Sequence, residues 1–407
     1  MPDGRDLPSS LTLRLVPRIA EVGAAEWDAL AGPDNPTVSH AFLHLLEESG
    51  SVGKGTGWTP QHLTLRDGAG TLLGAMPLYL KSHSYGEYVF DHAWAAAWER
   101  AGRAYYPKLQ SAVPFTPVTG PRLLVRPQAP EGTAEAMLRG LEQIARTNGL
   151  SSVHVTFPTA EEYELAGRAG WLQRLGRQFH WENRGYGSFD DFLGALSARK
   201  RKAVRRERRE VAESGLVLHS LTGDDLRPEH WDAFHRLYMA TSDRKWGWTY
   251  LTRDFFHRLG TTMPERVLLV LAEDRGRWVG GALNLIGTDT LYGRNWGSAG
   301  EYPFLHFEAC YYRAIDFAIA RGLKRVEAGA QGEHKIQRGY LPSPTYSVHH
   351  IVDPGFRRAV ADFLERERAA EAEETALLTA ESPYRRDGGE SDSGGCEDAR
   401  DPAGRAP

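Results

Sequence analysis

Residues 294–299, which read RNWGSA, combine a cation, a glycine and small residues at a spacing that suits anion binding. They follow an apolar stretch typical of a strand and precede PFLHFEACYYRAIDFAIARG, which is typical of a helix. Free backbone N–H groups and the positive end of the helix dipole would then point at one spot. The sequence therefore predicts an anion-binding loop made of Arg294, Asn295, Trp296, Gly297, Ser298 and Ala299. A turn that merely ends the strand is the alternative.

A second concentration of polar residues follows the next apolar strand, in VEAGAQGEHKIQRG at 326–339. A solvated loop would explain the charges but not the apolar strands on both sides. A polar segment at the end of a buried strand can supply a general base that takes a proton from a substrate. The candidate bases are Glu327, Glu333 and His334. Glu327 is preferred because burial near a strand end would raise its pKa towards neutrality. The candidate substrate contacts in this segment are Gln331, Lys335 and Arg338, the last two for a phosphate or carboxylate.

Further candidate substrate contacts lie outside these two segments. Arg244, Lys245 and Trp246 belong to DRKWGWTYL, whose cations and rings suit a sugar or a nucleotide but equally a hydrophobic lock at a helix end. His306 and Glu308 fall in the first turn of the helix after RNWGSA. No Cys/His spacing resembles a zinc site and no Gly-x-Ser-x-Gly elbow occurs, so we assign no metal ligand and no serine nucleophile.

The run RKRKAVRRERRE at 199–210 holds eight basic and two acidic residues. As a helix it would be basic around most of its circumference, which is unfavourable unless phosphates or acidic neighbours lie close. The sequence therefore suggests contact with tRNA or an anionic membrane surface. A solvated helix with acidic neighbours is the equally open alternative.

An internal repeat indicates the elements that must position these residues. LRDGAGTLLGAMPLYL at 65–80 aligns without gaps with LAEDRGRWVGGALNLI at 271–286, and each copy predicts a β-hairpin. A helix and a strand follow each copy, at 131–148 and 152–157 in the first half and at 304–321 and 324–328 in the second. We therefore expect two copies of one mixed α/β domain.

The expected units are an N-terminal domain at 10–186, a C-terminal domain at 187–385 that carries the anion-binding loop, and an acidic disordered tail at 386–407. The first domain contains an insert at 81–130 that is rich in proline and aromatic residues, and long loops of this kind are usually functional.

Composition describes an ordinary folded protein, since 41% of the 407 residues are hydrophobic and the net charge is -4. Cys310 and Cys396 make no disulfide framework. There is no readable secretory signal, and no apolar run approaches the roughly 20 residues of a membrane span. We expect a cytoplasmic protein.

Several long segments together resemble the FemAB-like family of N-acyltransferases, peptidoglycan biosynthesis or recognition proteins within the GNAT-related superfamily. The resemblance covers residues 10–385 and is carried by NPTVSHAFLHLLEESG, AMPLYLKSHSYGEYVFDHAWA, YYPKLQSAVPFTPVTGPRLL, ARKRKAVRRERREV, DRKWGWTYLTRDFF, LHFEACYYRAIDFAIARGL and EAGAQGEHKIQRGYLP. The RNWGSA spacing resembles the superfamily's pyrophosphate loop, Gln/Arg-x-x-Gly-x-Gly/Ala. The resemblance implies an α/β (α+β) fold with tandem GNAT-like domains, in which mixed sheets are flanked by helices.

The resemblance also implies a function. An acyl or aminoacyl group would pass from acyl-CoA or aminoacyl-tRNA to an amine acceptor, small or lipid-linked, such as a peptidoglycan precursor or another cell-envelope or peptide metabolite. The donor would be a co-substrate, with no cofactor bound permanently. Only the second domain would hold it, because no matching loop precedes the helix at 131–148. The alternative is a non-catalytic module that binds peptidoglycan or RNA on an inactive acyltransferase fold.

Overall fold

A computed structural model describes residues 10–245, 249–329 and 332–385, without the side chains of residues 242–245 and 333. The strands are β1 (Leu11–Val16), β2 (Trp58–Pro60), β3 (His62–Asp67), β4 (Leu72–Met76), β5 (Leu78–Lys81), β6 (Lys108–Ser111), β7 (Leu124–Val125), β8 (Ser152–Thr156), β9 (Leu172–Glu182), β10 (Val217–Leu221), β11 (Val267–Asp274), β12 (Arg277–Ile286), β13 (Thr290–Ser298), β14 (Arg325–Glu327) and β15 (Leu341–Ile351).

The α-helices are α1 (Ala24–Ala31), α2 (His40–Glu48), α3 (His92–Arg100), α4 (Thr133–Thr147), α5 (Ala160–Arg168), α6 (Phe189–Ala195), α7 (Ala198–Glu213), α8 (Pro228–Lys245), α9 (Arg253–Thr262), α10 (Leu305–Phe307), α11 (Arg313–Ala320) and α12 (Pro354–Ala380). A wider π-turn at Glu308–Tyr312 joins α10 to α11, and Glu333–Arg338 forms a 3₁₀ helix. None of the described helices is both long enough and apolar enough to cross a membrane.

Most strands belong to one 11-stranded sheet with the order β10-β11-β12-β13-β14-β9-β15-β8-β6-β5-β2. A separate sheet has the order β1-β3-β4-β7. The pairs β13 with β14 and β6 with β8 are parallel, and every other pair is antiparallel. Each parallel pair is connected through helices on the sheet, α4 in the first half of the chain and α10–α11 in the second, as parallel neighbours require.

The two halves of the chain exchange their last strands. β9 of the first half pairs with β14 of the second, and β15 of the second half pairs with β8 of the first. β9 and β15 also pair with each other over nine positions at the centre of the sheet. The boundary expected at 186/187 falls between β9 and α6, and the hydrogen-bonded sheet runs across it, so the division into two domains stays a prediction.

The predicted hairpins are present in both halves. β3 pairs with β4 and β11 pairs with β12, both antiparallel. The second copy continues as one strand to Ile286, whereas Pro77 interrupts the first copy between β4 and β5. Proline has no N–H to donate to a ladder, and the chain leaves the four-stranded sheet there and enters the large one.

The basic run forms a helix of its own. Ser188 caps α6, its side chain accepting from the Asp191 N–H, and the helix ends before Leu196, which forms an isolated bridge with Tyr384. α7 then begins at Ala198. Its buried face consists of Val204, Glu207 and Val211. The helix packs on this face, and most of its cations project from the other faces.

Candidate active site

The candidate site lies where β13 and β14 separate. The two strands pair in parallel over only three residues, Thr290–Tyr292 with Arg325–Glu327. β14 then ends, whereas β13 continues to Ser298. Gly293 permits this close approach, because a Cβ there would come within 2.9 Å of the Glu327 carbonyl oxygen. A crevice at the carboxyl end of a parallel strand pair is a common place for a ligand site.

Glu327 is the last residue of β14 and is buried, with 5% of its surface exposed. Its Oε2 is buried and has no hydrogen-bond partner among the described residues. Burial raises the pKa of this carboxyl to about 8, although Arg325 and Arg294 act in the opposite direction. A carboxyl group that titrates near neutral pH, with one oxygen available, is able to accept a proton from an incoming amine.

His180 lies opposite Glu327 on β9, and its Nε2 is 3.9 Å from Glu327 Oε2. Its Nδ1 is buried without a hydrogen-bond partner among the described residues. Burial lowers the pKa of His180 to about 3, with Arg325 and Lys335 adding to the effect, so the ring is neutral at neutral pH. Sequence reasoning missed His180, because a single histidine in the strand QFHWE carries no signal until strand pairing places it beside Glu327.

Arg294 lies on β13 just beyond the point of separation. Its guanidinium donates to the Phe115 carbonyl and, at 3.2 Å, to Thr116 Oγ1. Its Nε and Nη1 have no partner among the described residues. Burial lowers its pKa to about 10, so it stays charged at neutral pH, and it interacts electrostatically with Glu327. Arg294 is therefore the member of the predicted loop that is best placed to bind a ligand.

The proline- and aromatic-rich insert of the first half forms one wall of this site. Besides holding Arg294, Phe115 stacks on Tyr250 of the second half at 4.7 Å and 12°. Gln178 Nε2 donates to the Pro117 carbonyl at 2.6 Å and its Oε1 lies 3.3 Å from His180 Nε2. The insert therefore borders the candidate site through Phe115, Thr116 and Pro117.

The predicted loop at 294–299 is wrong as local structure. Residues 294–298 continue β13, in which residues 295–298 pair with β12 from Leu283 back to Gly280 and Arg294 lies at a shift in the register. The Ala299 N–H donates to the Val279 carbonyl at 2.9 Å. The helix begins only at Leu305. A Cβ on Gly297 would lie 2.6 Å from the Leu237 carbonyl oxygen, so this glycine accommodates the backbone of α8 and leaves no room for a phosphate.

The other residues of that segment have separate environments. Asn295 borders a small apolar pocket together with Phe42 and Leu251. Trp296 packs its ring edge against His306, with centroids 5.3 Å apart. The Ser298 hydroxyl donates to the Gly300 carbonyl at 2.6 Å, and Ala299 is exposed.

Lys335 reaches back to the end of β14 from the 3₁₀ helix. Its Nζ donates to the Ala328 carbonyl and, at 3.0 Å, to the Gly329 carbonyl. Burial lowers its pKa to about 8. Lys335 therefore keeps a cation next to the strand end that carries Glu327, and its role as a substrate contact stays a prediction.

Arg338 and Glu308, two predicted substrate contacts, are occupied by internal ion pairs. Arg338 is buried, donates to both carboxyl oxygens of Glu207 at 2.7 and 3.1 Å, and covers the Phe307 ring at 3.4 Å. Glu308 is buried and accepts from Arg208 and Arg313 at 3.0 and 3.1 Å. These pairs attach α7 to α10 and the 3₁₀ helix, so the prediction that Arg338 and Glu308 bind substrate is not supported by their geometry.

His306 and His334 belong to an aromatic cluster beside α10. His334 is exposed, and its Nε2 lies 3.0 Å from the Tyr311 hydroxyl. Burial, together with Arg338 and Lys335, lowers the pKa of His334. The His306 and His334 rings are 6.1 Å apart, with Phe307 5.4 Å from His334. The two histidines thus share a surface with Tyr311 and Phe307, and neither makes a contact with Glu327 among the described residues.

The remaining predicted residues are only partly described. Arg244 and Lys245 lie in the last turn of α8, and Glu333 begins the 3₁₀ helix, but their side chains are outside the described part. Trp246, Gln331 and the tail at 386–407 lie outside the described residues altogether. Among the residues that are described, no group of three or more His, Cys, Asp or Glu side chains is arranged to hold a metal ion.

The cations of α7 divide into two classes. Arg208 is partly buried and bonds to Glu308 and Asp316. The outer arginines are more than half exposed, and their ion pairs join Arg205 to Asp190, Arg206 to Glu210 and Arg209 to Glu213. Arg199, Lys200 and Lys202 form no ion pair within the described part of the chain. These cations of the first turns lie at the positive end of the helix dipole, where like charge is unfavourable.

Solved structures share this fold at low sequence identity. FemX is 12% identical, with a TM-score of 0.53, and the alignment covers 84% of this chain and 98% of FemX. A C-terminal domain from Agrobacterium fabrum, named as a lysylphosphatidylglycerol synthetase, is 9% identical with a TM-score of 0.51, and 86% and 96% of the two chains are covered. A tandem GNAT protein from the clavulanic acid biosynthesis pathway is 11% identical, with a TM-score of 0.47 and coverage of 85% and 99%.

No curated protein sequence matches the chain. The chain has a mixed α/β fold, as the sequence resemblance implied, and it shares this fold with FemX. The family model for FemAB-like proteins, described as peptidoglycan biosynthesis/recognition, matches residues 18–386. This match spans nearly all of the described structure, including both strands that frame the candidate site. The chain belongs to the FemAB-like family.

Proposed function

We propose that this protein is an N-acyltransferase that moves an aminoacyl group onto the amine of a peptidoglycan precursor. The observation that carries the proposal is Glu327, a buried carboxyl with an unpartnered oxygen among the described residues and a pKa raised to about 8, at the point where β13 and β14 separate. Buried polar atoms are rarely left unpaired, and a strongly perturbed carboxyl in a crevice is a candidate general base.

The chemistry follows from this carboxyl group. The acceptor amine attacks the acyl carbonyl carbon and forms the new C–N bond, while Glu327 in its ionised form takes one proton from the nitrogen. The carbonyl oxygen carries the negative charge until the bond from carbon to the donor oxygen or sulfur breaks. The proton on Glu327 then passes to the leaving group. Arg294, with two nitrogen donor positions that have no partner in the described part of the chain, is placed to stabilise the developing oxyanion or a donor phosphate.

The donor that we favour is an aminoacyl-tRNA, with acyl-CoA as the alternative. Residues 294–298 form a strand, and the backbone of α8 packs against Gly297. There is thus no phosphate-binding loop at Gly297 that would favour acyl-CoA as the donor. α7, by contrast, offers cations along 16 residues, which is about 24 Å of helix. Its Arg206 lies 6.0 Å from the Phe304 ring, at the start of α10. A long basic surface fits a polyphosphate backbone better than a single pyrophosphate.

The acceptor class rests on family membership. The family description is peptidoglycan biosynthesis/recognition, and both enzymes and binding modules fall under it. We therefore propose a peptidoglycan precursor with a free amine, either soluble or lipid-linked.

The test is a transfer assay with the full chain, radiolabelled aminoacyl-tRNA or acyl-CoA, and a peptidoglycan precursor. We expect label to move from aminoacyl-tRNA, and Glu327→Gln to lower turnover by about 10²–10⁴-fold without weakening donor binding. Glu301→Gln, an exposed carboxyl of the same half, is the matched control and should keep full turnover.

Three outcomes would contradict parts of this proposal. Full turnover in Glu327→Gln would remove this carboxyl as the base and move attention to Glu333 or His334. Binding of the precursor with no transfer from either donor would favour the non-catalytic module, which has the same crevice but no chemistry. Transfer from acyl-CoA alone would keep the enzyme and change the donor.

A further inference from the structure

The loop at residues 82–91, within the insert of the first half, has an inverted pattern of burial. Its polar residues Ser84, Glu87 and Asp91 are only 1–3% exposed, whereas Tyr85, Tyr88 and Phe90 are 41–56% exposed. Carboxylates are seldom buried without a charged partner, and a cluster of exposed rings usually marks a binding surface. The buried carboxylates of this loop therefore require a buried cation or hydrogen-bond donors.

Lys108 on β6 is that buried cation. Its side chain is fully buried, and its Nζ donates to Ser84 Oγ at 2.9 Å, Glu87 Oε2 at 2.8 Å and Asp91 Oδ2 at 2.5 Å. One ammonium group thus binds the loop at three points within eight residues. Burial disfavours the charge on Lys108, but Glu87 and Asp91 outweigh it and raise its pKa, so the group is charged.

Neighbouring groups reinforce this attachment. The Tyr105 hydroxyl donates to Asp91 Oδ2 at 2.6 Å. The middle of the loop is held through the Tyr85 carbonyl, which accepts from Lys81 Nζ at 3.3 Å and from Trp58 Nε1 at 3.1 Å. The loop is fixed from β2, β5 and β6 together.

The same loop reaches the candidate active site in the other half of the chain. Gly86 lies against the ring of Phe115, because a Cβ on Gly86 would come within 2.6 Å of that ring, and the Phe115 carbonyl accepts from the Arg294 guanidinium. Desolvation raises the pKa of the Tyr88 hydroxyl to about 12, and Arg294 acts in the opposite direction. Movement of the loop would therefore disturb Phe115 and the carbonyl that holds Arg294.

We propose that Lys108 is a positioning residue for the active site: by binding Ser84, Glu87 and Asp91 it holds the loop at 82–91 so that Gly86 packs on the ring of Phe115, the residue whose carbonyl binds Arg294. The role in turnover rests on the proposed function, whereas the role in holding the loop does not. A buried ion cluster contributes less to stability than its contacts suggest, because desolvation offsets the attraction. Its effect here is to select one conformation of an exposed aromatic loop.

Hydrogen exchange measured by mass spectrometry tests the structural part. In Lys108→Met, amides of residues 82–91 should exchange about tenfold faster, while those of α4 keep their protection. Lys54→Met changes an exposed lysine of the same half and should leave the loop unaffected. If Lys108→Met fails to fold because two carboxylates lose this cation, the variant Lys108→Met/Glu87→Gln/Asp91→Asn is used instead, since it neutralises both carboxylates together with Lys108 and leaves Lys81 bound to the Tyr85 carbonyl. Unchanged exchange in the loop of a folded variant overturns the proposal, whatever the transfer assay shows.

Coupling to Phe115 tests the functional part. Lys108→Met and Phe115→Leu should each lower kcat/KM for aminoacyl transfer, and the double variant should be no worse than the more impaired single variant, since both act on the residue that holds Arg294. Lys108→Arg, which keeps the cation, should recover part of the loss. Fully additive losses would show that Lys108 does not act through Phe115. Absence of transfer by the unaltered protein would refute the proposed function, and the exchange result would still decide whether Lys108 holds the loop.

Discussion

Glu327 on β14 and His180 on β9 face each other, with the carboxyl Oε2 3.9 Å from the imidazole Nε2. At neutral pH most molecules carry both groups in their uncharged forms. Burial acts on the two groups in opposite directions, raising the pKa of the acid to about 8 and lowering that of the base to about 3. The ring therefore supplies no cation that would keep the carboxyl ionised. The site holds a protonated acid that becomes a base as pH rises.

The first prediction concerns stability against pH. The pKa of Glu327 is 4.5 as an ordinary value and about 8 in the folded chain, so the folded state binds more protons between these limits. Stability from this group is fully present below pH 4.5 and is lost as pH rises towards 8, by up to about 1.4 kcal/mol per pH unit. Glu327→Gln cannot ionise, so its advantage in urea unfolding free energy should grow from about pH 5 to about pH 8. A constant difference would mean that Glu327 is ionised when folded.

The second prediction concerns the pH dependence of transfer. Turnover should rise with pH and level off above the Glu327 pKa of about 8, because the ionised carboxyl is the form that accepts the amine proton. The deficit of Glu327→Gln should shrink at still higher pH, where the acceptor amine is already neutral. Initial rates across a pH series check both statements. Turnover that falls through this range in the unaltered protein would argue for an acid in place of a base.

The third prediction separates a structural role of Arg338 from a ligand role. Removing one partner of the buried Arg338–Glu207 pair leaves a buried charge, so Arg338→Met should cost about 3–5 kcal/mol of unfolding free energy. Arg338→Met/Glu207→Gln should recover much of this loss, since no charge is then left unpaired. Urea unfolding of the unaltered protein and both variants measures the difference. A stable Arg338→Met with an increased KM would instead return Arg338 to the substrate site.

The fourth prediction concerns Gly297. A methyl group there would collide with the backbone of α8 at Leu237 and Tyr238, so Gly297→Ala should lower stability by about 1–3 kcal/mol. Gly300→Ala is the matched control, because its nearest neighbour is the Tyr302 ring at 3.6 Å. Thermal unfolding checks the pair. Should Gly297→Ala keep the wild-type melting temperature and weaken donor binding, the phosphate-loop interpretation would be restored.

The fifth prediction divides the arginines of α7. Replacing Arg205, Arg206 and Arg209 with Gln should weaken binding of tRNA and flatten its salt dependence, by close to one unit of log–log slope for each phosphate that the variant no longer neutralises. Their surface ion pairs contribute little to stability. Filter binding at several salt concentrations provides the measurement.

Two control variants complete the test of α7. The first control replaces three exposed arginines outside α7 with Gln, namely Arg100, Arg139 and Arg358. It should leave the salt dependence of tRNA binding unchanged. Arg208→Gln should lower stability, because Glu308 and Asp316 then lack the cation that bridges them. Equal salt slopes for the α7 variant and the control would leave α7 as a solvated helix.

Local patterns along the chain are sufficient for much of the architecture. The apolar spacing of the hairpins and the polar segment after the second apolar strand predict β3–β4, β11–β12 and the buried end of β14 correctly. These features depend on neighbours within a few residues, where propensity, capping and strand periodicity act directly. The position of Glu327 at a strand end is predicted in the same way, because the apolar residues before it indicate a strand regardless of which strand pairs with it.

Partners that are far apart in sequence were decided only by tertiary structure. The choice of β9 as the neighbour of β14 places His180 beside Glu327, although 147 residues separate them (327 − 180). Pairing with β12 keeps RNWGSA extended, and packing on α8 closes Gly297, where the local pattern alone suggests a loop. Arg338 finds Glu207 because α7 packs against the 3₁₀ helix. Strand register and helix packing are set by burial summed over the whole fold. The type of a residue therefore predicts which reactions its side chain could perform, whereas neighbours distant in sequence determine whether that side chain is free to perform them.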